Sequence, residues 1–506
     1  MSTKRVSEAV EAAQTTRLNK MYIDGKWMDS LSNKTRDVLN PATGECIGTV
    51  AEAGAEEVEM AIRAARRAFD EDGWPEQHAR ERAELLYRIA ALLEENAEQF
   101  AVLDTLNNGK PLRESRYDAE DAANQFRYFA GLVTKPKGQT YDVPDDIQAM
   151  VVREPIGVVS QIIPWNYPLV MAAQKIAPAL AAGCTIVIKP AEQTPLSLIR
   201  LFELLDEAGL PAGVANLVLG AGETVGVVMA RHPLVDKVAF TGGTSTGIAI
   251  MKAAADTVKK VGLELGGKSP NIVFADADFE TAVDYALFGI FSNQGQVCSA
   301  GSRLLLEKTI YNRFVAELVE RAQQITVGPG MDESTEMGPL ISEEQMNRVL
   351  RYIEIGKEEG ASLLCGGYRL TDGGLERGFF IVPTIFTDTK PYMRIVQEEI
   401  FGPVLVIQTF ETEEEAIRLA NGTKYGLAGA VFTSDGAKAQ RVIRKLRAGI
   451  TWINTYHPTF NEAPWGGYKQ SGIGRELGTY GFEEYLETKQ ININLNVQPS
   501  GWFQKK

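Results

Sequence analysis

From residue 157 to residue 265 the chain alternates short apolar runs with amphipathic ones, at intervals that few architectures accommodate. Residues 157–163, 185–189, 216–219, 235–240 and 260–265 read as strands, and 167–182, 194–208, 223–230 and 246–255 as helices. Strands separated by helices of this length pair through right-handed crossovers, which makes the sheet parallel. A second alternation starts at Asn271 and runs through 303–307, 404–410, 428–432 and 450–454. Gly266-Gly267 marks the break between the two runs. A chain of 506 residues is too long for one core and fits two or three domains.

Upstream, residues 21–27 read as a short strand with an Asp24-Gly25 turn, and 56–69 and 79–101 as helices. Leu85, Ile89, Leu92 and Leu93 mark one face of the second helix. Two extended segments, 137–154 and 488–496, fit neither alternation, and Ile491, Ile493 and Leu495 alternate with polar residues in the second. Edges of that kind are usually covered, often by another subunit.

Bulk properties narrow the partners. A net charge of -14 argues against nucleic acid, which calls for a basic stripe to neutralise phosphates. The most lipid-like stretch, 169–188, is interrupted by Gln174, Lys175 and Pro178 and reads as a buried helix and strand, so no membrane span is expected. Residues 1–20 lack the apolar core of an export signal. The four cysteines are widely spaced and the three histidines stand in no ligand pattern, so no metal site is expected. A reducing cytoplasm is the expected location.

Cys298 stands in a loop of small and polar residues, Asn293-Gln294-Gly295-Gln296-Val297-Cys298, unlike Cys184 and Cys365 with their apolar neighbours. That setting fits a nucleophile better than a core thiol. Glu264 lies where a strand gives way to two glycines, flanked by Leu263 and Leu265; a carboxylate in a partly apolar pocket is suited to act as a general base. Asn166 ends a buried strand and either closes a turn or aims its amide at a developing oxyanion. Two glycine clusters compete for a dinucleotide. Gly220-Ala221-Gly222 reads as a tight turn, whereas Gly242-Gly243-Thr244-Ser245 is richer in groups for a pyrophosphate at a helix start and is preferred. Lys189 and Glu192 end another strand of the same sheet, where both can bond ribose hydroxyls. An acidic group there favours NAD over its phosphorylated form. Without a nicotinamide, the same cysteine would serve an acyltransferase or thioesterase; loss of the cysteine or glutamate would mark a binding protein.

Together these residues resemble the aldehyde dehydrogenase superfamily from about Tyr22 to Gln490. The motifs Pro164-Trp165-Asn166-Tyr167-Pro168, Phe240-Thr241-Gly242, Leu263-Glu264-Leu265-Gly266-Gly267-Lys268, Gly295-Gln296-Val297-Cys298 and Glu399-Ile400-Phe401-Gly402-Pro403 carry it, in the family's order. The resemblance implies an α/β subunit with a parallel-sheet, Rossmann-like NAD-binding domain (20–136 and 156–265) and an α/β catalytic domain (266–480). It further implies a small β oligomerisation arm (137–155 and 481–497) that builds a homodimer or homotetramer, after a polar extension (1–19). Cys298 becomes the nucleophile, Glu264 the base and Asn166 the oxyanion donor, with Glu476 either a proton relay or a structural ion-pair partner. Trp165, Lys189, Glu192, Gly242, Gly243, Ser245 and Leu265 become NAD contacts, and Glu399 and Phe401 the clamp on the nicotinamide ribose. The implied reaction is NAD-dependent oxidation of an aldehyde to its acid through a thioester on Cys298.

Residues 452–458 and 463–472 are similar to bacterial betaine-aldehyde dehydrogenases, whose quaternary ammonium substrate is held by aromatic faces. Tyr167 and Trp465 occupy two aromatic positions, but Gln174, Ser292 and Thr459 replace bulkier pocket residues. The expected substrate is therefore a broader or different aldehyde, with betaine aldehyde the alternative.

Overall fold

The computed structural model describes residues 20–144 and 146–503, so the polar extension 1–19 lies outside the described residues. Two large sheets organise the chain. The first runs in the order Gly472–Ile473, Lys260–Glu264, Lys237–Thr241, Val158–Ile162, Thr185–Lys189, Ala215–Leu217, Met21–Ile23, Lys26–Met28. Its five inner strands are parallel, as the strand–helix alternation requires, and antiparallel strands close both edges. Four of them, all but Lys260–Glu264, are buried on both faces, which explains their apolar runs.

From Val158–Ile162 the chain winds outward through Thr185–Lys189 and Ala215–Leu217, then returns to place Lys237–Thr241 on the opposite side. The loops leaving Val158–Ile162 and Lys237–Thr241 therefore diverge and leave a crevice beyond the strand ends, the position where open α/β sheets take ligands. Trp165-Asn166 and Gly242-Gly243 are on those two loops.

The second sheet runs Ser362–Cys365, Thr384–Thr387, Val404–Phe410, Arg303–Glu307, Pro270–Val273, Ala428–Phe432, Ile450–Ile453 and is parallel except for its first strand. The chain leaves the first sheet at Glu264 and enters the second at Pro270. The exit edge of one sheet thus faces the entry edge of the other. The extended segments join as a third, antiparallel sheet, with Leu486–Asn494 paired along Ile147–Pro155, and Gln139–Tyr141 beyond it. Leu486–Asn494 is an edge strand, and Ile493 and Leu495 are exposed.

Several boundaries differ from the sequence reading, each for a local reason. The first strand is a hairpin, Met21–Ile23 with Lys26–Met28, turned by Asp24 and Gly25 with φ of 54° and 73°; two consecutive left-handed residues match the twist of the paired strands. The helix expected over 79–101 is two, Ala79–Glu95 and Ala97–Asn108, because Asn96 leaves helical geometry and its Nδ2 donates to the Leu92 carbonyl at 2.8 Å. The helix expected over 223–230 starts as a π turn, Gly222–Gly226. Helix Pro168–Ala182 is buried on nearly all sides, and among the described residues no helix is long and apolar enough to cross a membrane.

Candidate active site

Glu264 ends the strand Lys260–Glu264, and Cys298 lies five residues before Arg303–Glu307, which pairs with Pro270–Val273. Gly266 and Gly267 join the two edges at close quarters. A Cβ on Gly267 would stand 2.4 Å from the Cys298 carbonyl oxygen, and one on Gly266 would stand 2.1 Å from Glu399 Oε2. Only glycine lets this connection pass between the Cys298 loop and Glu399.

The loop leading to Cys298 has unusual backbone. Asn293, Gln294 and Gly295 are all left-handed, with φ of 43°, 57° and 71°, which costs about 1 kcal/mol or more at each non-glycine position. Hydrogen bonds hold it there. Asn293 N–H donates to Glu114 Oε2 at 3.0 Å and Asn293 Nδ2 to the Asn166 carbonyl at 3.0 Å. Gln294 Nε2 donates to the Pro339 carbonyl at 2.9 Å, and Ile341 N–H donates to Gln296 Oε1 at 3.0 Å. Asn166 Nδ2 donates to the Gln296 carbonyl at 2.9 Å, leaving the second N–H of that amide free for another acceptor.

Electrostatics separate the acids by role. Glu264 is buried with Oε2 unpartnered, and burial, then the Glu476 carboxylate, push its proton affinity well above the carboxylate range. Lys175 and Arg475 pull the other way. Glu476 pairs through Oε1 with Lys175 Nζ, which also donates to Thr241 Oγ1 at 2.7 Å, and its Oε2 is buried without a partner. A reciprocal backbone pair between Trp465 and Glu476, at 2.6 and 2.8 Å, carries Glu476 to the site. Burial raises the partly exposed Cys298 thiol to about 12, and the charges of Glu399 and Glu264 add to this. Burial likewise raises Glu399 to about 7, against the Gly267 N–H that it accepts at 3.0 Å. Burial therefore favours the protonated thiol at Cys298 and the neutral carboxyl at Glu264.

Most of the residues expected to contact the cofactor follow the carboxyl ends of strands in the first sheet. Gly243 caps helix Thr244–Ala255 in extended geometry; a Cβ there would meet nothing within 4 Å, and Ser245 is exposed beside it. Gly242 N–H donates to the Glu264 carbonyl at 3.0 Å, but its glycine is required by Phe240, whose ring a Cβ would meet at 2.5 Å. Leu265 is buried against Gly247. Lys189 Nζ donates to Glu192 Oε1 at 3.2 Å, and that oxygen also accepts Gly222 N–H at 2.5 Å, so the first glycine cluster meets the Lys189–Glu192 pair. Trp165 and Phe401 stack edge to face at 5.2 Å. Phe401 has φ 64°, and its carbonyl accepts Gln345 Nε2 at 2.7 Å. An open helix start, paired ribose-bonding groups and an orphaned buried carboxylate oxygen together fit a dinucleotide.

Tyr167 opens helix Pro168–Ala182, and Gln174 is buried two turns further on. Tyr167 and Trp465 pack against the core of the second sheet. Ser292 Oγ donates to the Phe288 carbonyl at 2.8 Å, and the Phe288 ring contacts His457 at 5.3 Å. Thr459 is exposed with its hydroxyl on the His457 carbonyl. Sequence reasoning missed the groups behind Tyr167. Lys110 Nζ sits 3.9 Å from the Tyr167 ring centre and pairs with buried Asp118 at 2.6 Å. Asp104, Glu114 and Asp118 are all raised by burial, the first two to about 6 and about 7. Lys175 and Asn293 were also missed as functional; only closeness to Cys298 in sequence pointed to Asn293.

Comparison with known proteins agrees with this geometry. Residues 27–491 match the Aldehyde dehydrogenase family. A betaine aldehyde dehydrogenase of Bacillus subtilis (strain 168) is 54% identical over 484 residues, covering 96% of this chain and 99% of that one. A peroxisomal aminoaldehyde dehydrogenase of Pisum sativum is 45% identical, covering 96% and 97%. A crystal structure of betaine aldehyde dehydrogenase from Staphylococcus aureus in complex with NAD+ superposes with a TM-score of 0.97 at 52% identity, covering 99% of each chain. The chain belongs to the aldehyde dehydrogenase family. It has the aldehyde dehydrogenase fold and is an NAD-dependent, non-phosphorylating oxidoreductase that converts aldehydes to acids.

Proposed function

We propose that the substrate is an aldehyde bearing an ammonium group, betaine aldehyde foremost, held against Tyr167 and Trp465. One observation carries this reading: two buried carboxyl groups, Asp104 and Asp118, gather around Lys110 behind Tyr167. That excess of acid favours a positive ligand over a neutral one of the same shape. The names of the Bacillus and pea relatives point the same way. The test compares kcat/KM for betaine aldehyde and its neutral carbon isostere, 3,3-dimethylbutanal. A preference of about tenfold or more is expected; parity contradicts the reading.

In this scheme Glu264, in its ionised form, accepts the Cys298 thiol proton and the sulfur adds to the aldehyde carbon. The free N–H of Asn166 Nδ2 and the Cys298 N–H take the oxyanion. NAD, when bound, supplies a hydride acceptor and a positive charge. As the carbonyl re-forms, a thioester is left on Cys298. Glu264 first passes the thiol proton to Glu476 and Lys175; ionised again, it takes a proton from water, the hydroxide attacks the thioester carbon, and the C–S bond breaks to give the acid and the Cys298 thiolate. Glu476 and Lys175 pass the proton onward. Lys189, Glu192, Gly243 and Ser245 hold the adenosine and phosphates, with Trp165, Gly242 and Leu265 lining the crevice and Glu399 and Phe401 gripping the nicotinamide ribose. The glutamate makes hydrolysis the second half-reaction and leaves the non-redox readings without support.

The first sheet and its helices form the NAD-binding domain (20–136 and 156–265), the second sheet the catalytic domain (266–480), and the third the arm (137–155 and 481–497). The unpaired edge at Leu486–Asn494 and exposed Ile493 support pairing of subunits into a homodimer or homotetramer. Four free thiols support a reducing cytoplasm.

A further inference from the structure

We propose that Glu114 is a positioning residue for the nucleophile, the working end of a brace, residues 108–114, that locks the Cys298 loop to the Asn166 turn. This rests on the assignment of Cys298 as nucleophile. Asn108 Nδ2 donates to the Trp165 carbonyl at 2.8 Å, so one end of the brace holds the residue before Asn166. At the other end Glu114 Oε2 accepts Asn293 N–H at 3.0 Å, the first residue of the left-handed run. Asn293 closes the loop by donating its Nδ2 to the Asn166 carbonyl.

The brace is itself wedged. A Cβ on Gly338 would stand 2.1 Å from the Gly109 carbonyl oxygen, and one on Gly330 would stand 2.3 Å from that of Lys110. Leu112 N–H donates to the Gly330 carbonyl at 2.9 Å. Segment 338–339 also grips the loop: Gly338 N–H donates to Gln294 Oε1 at 3.3 Å and Gln294 Nε2 to the Pro339 carbonyl at 2.9 Å. Brace, segment 338–339 and loop thus form a closed circuit in which Glu114 Oε2 is the side-chain acceptor of the Asn293 amide N–H. Without that acceptor, φ of 43° at Asn293 loses the one restraint on its own amide, and the side-chain bonds that remain hold the loop less tightly in left-handed backbone. Ionised or protonated, the carboxyl keeps an oxygen for this N–H. Glutamine therefore serves, and an apolar residue of the same length does not.

The experiment compares Glu114→Gln with Glu114→Met in the full-length enzyme. It measures steady-state oxidation, NAD dissociation by fluorescence, and the rate at which iodoacetamide alkylates Cys298, read by peptide mass spectrometry. Glu114→Met is expected to lose about tenfold or more in kcat and to slow alkylation at least fivefold, with NAD affinity unchanged; Glu114→Gln should stay within threefold of wild type in all three. Equal behaviour of the two variants overturns the proposal, whether both resemble wild type or both fail. If Glu114→Met does not fold, Glu114→Gln decides alone, and a loss beyond threefold overturns it. Cys298→Ala run alongside separates the two readings: retained turnover there refutes the nucleophile, whereas the alkylation rates bear on the brace.

Discussion

Burial is the dominant influence on the individual groups of this site. It raises the Cys298 thiol to about 12 and Glu399 to about 7, and it lifts Glu264 beyond the carboxylate range. Alkylation of Cys298 in the NAD-free enzyme should therefore climb with pH without levelling by pH 9; a plateau near pH 7 would mean a thiolate is already present. Glu114 gives a stability prediction with a definite sign. Its carboxyl is raised from 4.5 to about 7 on folding, so the folded state binds the extra proton in that window and loses stability as pH rises through it. The advantage of Glu114→Gln over wild type in urea unfolding should grow from pH 4.5 to about 7 and then stay flat. Lys110 is the counter-case: it is fully buried and bonded to Asp118. Lys110→Met strands that carboxylate and should lower stability by about 3–5 kcal/mol, measured by the same unfolding.

At the scale of elements, glycines decide how closely the pieces meet. Gly267→Ala puts a methyl 2.4 Å from the Cys298 carbonyl and should lower both kcat and melting temperature. Gly243→Ala meets no protein atom within 4 Å and should leave melting temperature unchanged while raising KM for NAD; an unchanged KM would remove that helix start from the cofactor site. Most elements near the crevice were legible because strands buried on both faces write themselves as continuous apolar runs, as in 185–189. Strands Ser362–Cys365 and Thr384–Thr387 were not, since the first is half exposed and carries no alternation. The Asn96 break escaped because apolar spacing continues across it. Cys298, Glu264 and Asn166 stood out by local context, whereas Glu114 and Lys175 sit on helical faces and Lys110 in the turn between Ala97–Asn108 and Leu112–Leu132, positions that sequence alone gives to solvent or core.

For the molecule as a whole, the proposed chemistry depends on the short connection from one parallel sheet to the other, which brings Glu264 of the first within electrostatic reach of Cys298 beside the second. The third sheet stands apart from that chemistry; ending the chain before the edge strand Leu486–Asn494 should reduce the oligomer seen by light scattering before it alters the site. The most direct test of the account is intact-mass analysis of Glu264→Gln mixed with NAD and substrate. A single burst of NADH, with one acyl group retained on Cys298 and turnover slowed about a hundredfold or more, is the expected result. An unmodified cysteine with turnover undiminished would contradict it.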